Sequence, residues 1–166
     1  MKFIYLLCLS YEYVSVRLLA RTRVWRFKSL CKKTGENIGI VGPYDLLNAQ
    51  NLIVGNNLTI NNGVYINAMS PITLGDNVVL SAGCKIVAAG LDLDRWKDGD
   101  KAHLKDQDIV IGNNIWVGAG AIILGGVNIV GEHVVVAAGA IVTRDINESN
   151  VVVAGCPARI VKRMVT

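Results

Sequence analysis

Three consecutive six-residue units, Val54-Gly-Asn-Asn-Leu-Thr59, Ile60-Asn-Asn-Gly-Val-Tyr65 and Ile66-Asn-Ala-Met-Ser-Pro71, set the pattern of this sequence. The first position of each unit is aliphatic, and the fifth is usually small or aliphatic. Positions two to four are rich in Gly and Asn, which tolerate the left-handed backbone conformation of a tight corner. Each unit therefore predicts a very short β-strand followed by a corner, with the first and fifth side chains pointing inward.

The same unit recurs along the rest of the chain. Further units begin at Leu74, Leu80, Ile86, Ile111, Val117, Ile123, Val136 and Val142. Three units close a triangular coil of about eighteen residues, and such coils stack through backbone hydrogen bonds. A helical interpretation fails, because glycine and β-branched residues recur where a helix tolerates them least. The repeat predicts an all-β solenoid.

Composition bounds the remaining possibilities. The chain has 166 residues, of which 52% are hydrophobic and 18% charged, as expected for one domain with a real core and not for a disordered chain. The mean hydropathy of +0.41 raises the question of a membrane span. The longest apolar run, Phe3–Leu9, is shorter than the roughly 18–20 residues that a span requires. The four cysteines contain no Cys-x-x-Cys pair, which favours reduced thiols in a cytoplasmic protein.

Positive charge is concentrated in residues 1–35, which contain eight Lys or Arg and one Glu, although the whole chain carries a net charge of +4. Residues 17–33 could form a helix with three apolar side chains on one side, namely Leu18, Val24 and Trp25. Such a helix could cap the end of the solenoid, or it could make peripheral contact with the inner face of a membrane. Nucleic acid is not an expected partner, because no surface of alternating aromatic and basic residues follows.

The repeat resembles that of the left-handed parallel β-helix (hexapeptide-repeat) acyltransferases, and the resemblance covers residues 36–163. The tail Gly155-Cys-Pro-Ala-Arg-Ile-Val-Lys162 and the segment Trp116-Val-Gly-Ala-Gly-Ala-Ile-Ile-Leu124 resemble the sugar and maltose O-acetyltransferase branch. The resemblance implies a β-helix domain over 36–163 with an excursion loop over 92–108, preceded by a basic helical segment over 1–35. It also implies a homotrimer that transfers an acetyl group from acetyl-CoA to a sugar or nucleotide sugar, in surface polysaccharide or lipopolysaccharide biosynthesis.

The excursion loop interrupts the repeat where this family keeps its general base. The family's coil ends Thr-Ala-Thr-His-Pro-Leu-Asp, whereas this chain reads Ala88-Ala-Gly-Leu-Asp-Leu-Asp94, which places Leu91 at the position of the histidine. Leucine cannot accept a proton. The loop also contains six aspartates, but their spacing does not match an EF-hand, so no metal is expected.

A histidine further along the loop offers a replacement. Asp100-Lys-Ala-His-Leu-Lys105 resembles the active-site segment Asp-Arg-His-Pro-Lys-Ile of serine acetyltransferase, and this resemblance predicts His103 as the general base. The alternatives are that His103 is a solvated loop residue, or that Asp92 or Asp94 takes the proton. The other histidine, His133, follows Glu132 at a corner and is predicted to be a surface turn residue.

The predicted donor site lies downstream of the loop. Trp116 is at an outward sixth position, where it could contact a ligand, a neighbouring subunit or the excursion loop. Small corner residues would let a pantetheine arm approach the backbone. The resemblance implies that coenzyme A contacts a set of residues that also includes phosphate-binding cations, namely Trp116, Gly118, Ala119, Ala138, Thr143, Arg144, Arg159 and Lys162. Arg163 could join these cations.

Two further expectations concern the reacting end of the donor. A backbone amide at Gly118 or Ala119 would stabilise the oxyanion. Asn61 resembles an active-site asparagine of the sugar acetyltransferase branch, although Asn is also a common corner residue. The alternatives from other classes are a catalytically inactive β-helix scaffold or binding protein, and a γ-type carbonic anhydrase. The carbonic anhydrase requires three zinc histidines, and the chain has two histidines.

Overall fold

The computed structural model of this chain describes residues 18–99 and 107–165. Within these ranges, seventeen short strands form three sheets, each made of one strand from every coil. Strands of successive coils pair in parallel, so the predicted parallel β-helix is confirmed. In the same ranges, two helices lie outside the sheets, α1 over residues 18–30 and α2 over Leu93–Lys97, as does a 3₁₀ turn over Ala49–Asn51.

The three sheets form the faces of a triangular prism. The first face contains β1 Lys33–Thr34, β4 Leu52–Val54, β7 Ile72–Leu74, β10 Ile109–Ile111 and β13 Asn128–Ile129. The second face contains β2 Gly39–Ile40, β5 Thr59–Ile60, β8 Val79–Leu80, β11 Ile115–Val117, β14 Val134–Val136, β16 Val151–Ala154 and β17 Arg159–Arg163. The third face contains β3 Asp45–Leu47, β6 Tyr65–Asn67, β9 Lys85–Val87, β12 Ile122–Leu124 and β15 Ile141–Val142. Strand β17 pairs antiparallel with β16 and ends the second face.

Coil length shows where the excursion leaves the solenoid. Asn57 and Asn77 occupy the same corner in successive coils and are 20 residues apart, whereas Asn77 and Asn114 are 37 residues apart. The coil between them therefore contains the excursion loop, with helix α2 inside it. Coils near the C-terminus are shorter, since Glu132 and Ser149 meet across 17 residues. The predicted coil of about eighteen residues lies within this range.

The interior is built from the first and fifth positions of the repeat. Leu58, Ile60, Val64 and Ile66 have no exposed surface, and the same positions are buried in the later coils. No polar or charged side chain is buried in the described part of the chain. Burying a large aliphatic side chain contributes about 1.5–3 kcal/mol to folding. The inward orientation predicted for these positions is confirmed.

Corners carry the left-handed conformation at the fourth position of the repeat, as at Asn57 (φ 56°) and Gly63 (φ 71°). The asparagines of one corner also form a ladder between coils. The Nδ2 atom of Asn37 donates to Oδ1 of Asn57 (3.0 Å), Asn57 donates to Asn77 (2.8 Å), and Asn77 donates to Asn114 (3.0 Å). Asn is favoured here because its short polar side chain tolerates a positive φ and can also join adjacent coils.

Helix α1 packs on the first coil through one of its sides. Phe27 is fully buried, and its ring meets that of Tyr44 edge-on with centroids 5.8 Å apart. Val24 packs against the same core, but Leu18 and Trp25 are 61% and 74% exposed. The prediction of one apolar side containing all three residues is therefore wrong, because a 100° turn per residue carries Trp25 away from the core. No helix in the described ranges is long and apolar enough to cross a membrane.

Candidate active site

The corner between the second and third faces aligns two predicted site residues, Asn61 and Gly118. The N–H group of Asn61 donates to the carbonyl of Leu80 (3.0 Å), and that of Ser81 donates to Val117 (2.9 Å). The N–H group of Gly118 continues this stacking by donating to the carbonyl of Val136 (2.7 Å). Asn61, Ser81, Gly118 and Ala137 thus occupy one position in four successive coils. We call this line of residues the corner column.

Trp116 lies on β11 beside the corner column and points outward, as predicted, with 55% of its surface exposed. Its Nε1 atom donates a hydrogen bond to the Oγ atom of Ser81, 2.8 Å away on the preceding coil. The indole is therefore oriented along the column. Sequence reasoning missed Ser81, but stacking the units beginning at Ile60, Leu80 and Val117 would have placed it between Asn61 and Gly118.

Asn61 has a visible structural role. Its Nδ2 atom donates to the carbonyl of Leu80 (2.9 Å), so the side chain reinforces the same link that its backbone makes. This contact agrees with the alternative that Asn61 is a corner residue. A role toward substrate stays a prediction.

Gly118 is required by the packing of the coils. A Cβ atom at this position would lie 2.6 Å from the nitrogen of Ala138 and 2.7 Å from the carbonyl oxygen of Val136. Its own N–H group is already donated to Val136 and is therefore not free to donate to an oxyanion, while contact of Gly118 with coenzyme A stays a prediction. Ala119 is exposed, and its N–H group has no backbone partner in the described part of the chain. Of the two candidate donors, Ala119 is therefore the one available to a ligand.

The predicted phosphate partners lie near the C-terminal end of the prism. Arg159 is in register with Ala154 at the end of β16, so β17 lies two strands beyond β14 and past the C-terminal end of the corner column. Lys162 is in register with Val152 and is exposed. Strand spacing of about 4.8 Å puts β17 about 19 Å along the prism from the coil of Ser81.

A groove of about 500 Å³ joins two of these cations. It is lined by Arg144 and Arg159, together with Val142, Asp145, Ile146, Asn147, Glu148, Val153, Ala158 and Ile160. Neither Arg144 nor Arg159 forms an ion pair with a described residue. Thr143 is exposed beside Arg144 but follows β15, at a different corner from Ala119.

Arg163 is engaged elsewhere. Its guanidinium donates to both carboxylate oxygens of Glu148, with distances of 2.5 and 3.2 Å, and this hydrogen bonding raises the pKa of Arg163. The neighbouring carboxylate of Asp145 accepts a hydrogen bond from the backbone of Asn128 (2.7 Å). With these groups paired, Arg144 and Arg159 remain as the cations of the groove.

The candidate bases divide into those that the structure describes and His103, which lies outside the described residues, so its role stays a prediction. The Oδ1 atom of Asp92 accepts from the N–H groups of Asp94 (3.1 Å) and Arg95 (3.2 Å) and thereby caps α2. Asp94 pairs with Lys97 at 3.0 Å. Both aspartates thus have structural partners. Leu91 is half-buried at the entry to this loop.

His133 is a corner residue. Its φ of 53° matches those of Asn114 and Asn150, and it directly precedes β14 as Asn114 precedes β11. The prediction of a surface turn is confirmed. The cysteines that the structure describes, Cys31, Cys84 and Cys156, are unpaired.

Comparison with known proteins identifies relatives of this chain. No protein-family model matches the chain. A protein from Dictyostelium discoideum named as an acetyltransferase is 39% identical over 137 residues, which span 82% of this chain and 70% of that protein. The galactoside O-acetyltransferase of Escherichia coli (strain K12) is 32% identical over 139 residues, which span 82% of this chain and 66% of the enzyme.

A solved structure has a similar fold. The hexapeptide-repeat acetyltransferase of Vibrio cholerae O1 biovar eltor, complexed with acetyl-coenzyme A, superposes with a TM-score of 0.79 at 27% identity. The match covers 88% of this chain and 78% of that one. Together with the stacked coils and the repeat, these similarities show that the chain belongs to the sugar O-acetyltransferase-like family of hexapeptide-repeat acetyltransferases, which have a left-handed parallel β-helix and use acetyl-coenzyme A as their acyl donor.

Proposed function

We propose that this acetyltransferase acts on a hydroxyl or amino group of a sugar or nucleotide sugar, in the assembly of surface polysaccharide. The sugar acceptor is supported by the similarity to a galactoside O-acetyltransferase. The polysaccharide role rests on the sequence resemblance alone. A cytoplasmic location belongs to the same proposal and is supported by the unpaired thiols.

The main support for the proposal is the geometry of the corner column. Trp116 lies beside it in the coil of Gly118, and β17 lies beyond its C-terminal end. An extended donor lying along this column would place its acyl end beside Trp116 and Ala119 and its phosphates near Arg159 and Lys162. Exposed cations at the end of the column suit the phosphates of coenzyme A. The exposed methyl groups of Ala119 and Ala138 leave the corner shallow enough for a thin pantetheine arm.

The chemistry then follows from general base catalysis. His103 would take a proton from the acceptor as its oxygen or nitrogen attacks the thioester carbonyl. The N–H group of Ala119 would donate to the developing oxyanion. Collapse of the tetrahedral intermediate would break the carbon–sulfur bond, release coenzyme A as its thiolate and leave the acetylated acceptor.

Thiol release from acetyl-CoA, measured against a panel of sugars and nucleotide sugars, tests this function. We expect acceptor-dependent release, and His103→Ala should lower kcat by about 10²- to 10⁴-fold, the usual contribution of a positioned base. Leu91→His is the informative companion variant, because it restores the family's histidine. Release by Leu91→His alone, with wild type and His103→Ala equally inactive, would favour the scaffold alternative. Product analysis separates O- from N-acetylation.

A homotrimer is part of the same proposal. Trp116 is exposed on the second face of the prism, and Leu124 and Leu47 are both exposed on the third face. Exposed apolar side chains of this kind are typical of subunit interfaces, and a threefold axis can cover them in three identical contacts. Sedimentation equilibrium should give three times the chain mass of 17.9 kDa. A stable monomer at micromolar concentration would contradict the trimer.

A further inference from the structure

The side of helix α1 that faces away from the core has a fixed direction. Phe27 is fully buried against Tyr44, and Val24 and Cys31 pack against the same core. The hydroxyl of Tyr44 also donates to the backbone carbonyl of Arg23 (3.4 Å). These contacts hold the inner side of the helix on the first coil, so the residues on the outer side are presented to the surroundings as one surface.

That outer side combines apolar and cationic residues. Leu18 and Trp25 are seven residues apart and therefore lie on one side of the helix, 61% and 74% exposed. Arg21 and Lys28 are also seven residues apart and run beside them, both exposed. A tryptophan flanked by arginine and lysine is typical of helices that lie in the interface of a membrane. We call this surface the outer face of α1.

The charged residues of α1 and of the five residues that follow it are all positive. Residues 18–35 contain no Asp or Glu, and their six charged residues are Arg21, Arg23, Arg26, Lys28, Lys32 and Lys33. None of the six forms an ion pair with a described residue. The positive charge is therefore available to an external partner.

An apolar groove of about 530 Å³ separates α1 from β2, the outermost strand of the second face. Arg21 and Lys28 line it together with Val24, Trp25, Ile38 and Ile40. Apolar lining with cations beside it suits a molecule that has an acyl chain and an anionic headgroup. A second copy of the chain fits less well, because pairing two outer faces would bring twelve like charges together.

We propose that the outer face of α1 docks the protein on an anionic membrane surface. Trp25 and Leu18 enter the boundary between headgroups and acyl chains, while Arg21 and Lys28 contact lipid phosphates. The helix lies in the plane of the interface and the solenoid stays in water. This docking is independent of the identity of the acceptor, so its test does not depend on the proposed acetyl transfer.

Cosedimentation of the full chain with vesicles tests the docking. We expect binding to vesicles containing one third phosphatidylglycerol and no binding to phosphatidylcholine alone. Each cation near an anionic surface strengthens binding by about fivefold, so Arg21→Ala with Lys28→Ala should weaken it by about 25-fold. Trp25→Ala should weaken it as well. Trp96→Ala and Lys85→Ala are the matched controls, because both residues are exposed and neither belongs to α1 or lines its groove.

Three outcomes would overturn the proposal. Wild-type protein could remain in the supernatant with anionic vesicles. The two control variants could lose binding as strongly as the α1 variants. Trp25→Ala could instead change the sedimentation of the lipid-free protein, which would make the outer face a contact between copies of the chain. Thiol release is measured separately without vesicles, so loss of docking and loss of acetyl transfer are distinguishable.

Discussion

The hydroxyl of Ser81 orients Trp116 at the candidate site, because it accepts a hydrogen bond from the indole N–H group at 2.8 Å. Removing that hydroxyl in Ser81→Ala leaves the indole without its partner on the preceding coil. One such hydrogen bond contributes about 0.5–1.5 kcal/mol, so we expect kcat/KM for acetyl-CoA to fall by about 2- to 12-fold. Steady-state thiol release measures the effect.

Two control variants separate an effect on the orientation of Trp116 from a general effect on the folded protein. Ser81→Thr keeps a hydroxyl and should retain most of the activity. Ser70→Ala changes another serine of the solenoid and should leave kcat/KM unchanged. An unaltered kcat/KM in Ser81→Ala would show that the orientation of Trp116 does not matter to the donor.

Substitution of Gly118 tests how tightly the coils pack at this corner. In Gly118→Ala the new Cβ would meet backbone atoms of the next coil at 2.6–2.8 Å, and these atoms belong to the hydrogen-bonded column. We expect a loss of about 1–3 kcal/mol in the free energy of unfolding. This corresponds to a Tm lower by about 2–4 °C for each kcal/mol.

Gly39→Ala is the matched control for Gly118→Ala. A Cβ atom at Gly39 would have its nearest neighbours at 3.9 Å, which is ordinary contact. Calorimetry of the two variants should therefore show a lower Tm for Gly118→Ala alone. Equal melting temperatures would mean that the coils separate easily at this corner.

Strand β17 contains two cations that are predicted to contact the phosphates of coenzyme A. Arg159 and Lys162 lie on this strand and are exposed. Changing both to Ala should raise KM for acetyl-CoA by about 2- to 30-fold, because each exposed charge contact contributes about 0.2–1 kcal/mol to binding. The value of kcat should change little, because contacts with the phosphates are equal in the ground and transition states.

The matched control for β17 is Lys85→Ala, an exposed cation on the third face. It should leave KM unchanged. An unchanged KM in the Arg159 and Lys162 double variant would place the donor phosphates elsewhere.

The elements also show what the sequence could predict. Alternation of aliphatic first and fifth positions with Gly and Asn corners is sufficient to predict the strands, because burial and positive φ act within six residues. Side-by-side placement across coils is harder. Because the coils vary from 17 to 37 residues in length, the sequence separation between residues that lie side by side also varies. The contact between Trp116 and Ser81, which are 35 residues apart, could therefore not be predicted from a single six-residue unit.

In helix α1, the sequence does not predict which apolar side chains are buried. Its apolar residues are of two kinds, since Phe27 belongs to the core and Trp25 to the outer face. Sequence hydrophobicity does not distinguish these two positions. The contact that does so is the packing of Phe27 on Tyr44, which is 17 residues further along the chain.

The buried thiol of Cys84 couples the stability of the folded chain to pH. Burial raises its pKa from 9.0 to about 12, so the folded protein keeps this proton when the unfolded chain loses it. Stability from this group is fully present below pH 9 and falls as the pH rises toward 12. The loss should reach about 1 kcal/mol at pH 10.

Urea unfolding at pH 7 and pH 10 measures this coupling. Cys84→Ala should reduce the difference in the free energy of unfolding between the two pH values. Cys156→Ala is the matched control, because this cysteine is exposed and unpaired in the fold. Equal pH dependence in wild type and Cys84→Ala would contradict the role of the buried thiol.

A crystal structure with bound coenzyme A would show whether the acyl donor lies along the corner between the second and third faces. We expect the pantetheine arm beside Trp116, Ala119 and Ala138, with the sulfur nearest Trp116 and the phosphates toward Arg159 and Lys162. Coenzyme A bound on another face or corner of the prism, with Trp116 and Ala119 uncontacted, would contradict it.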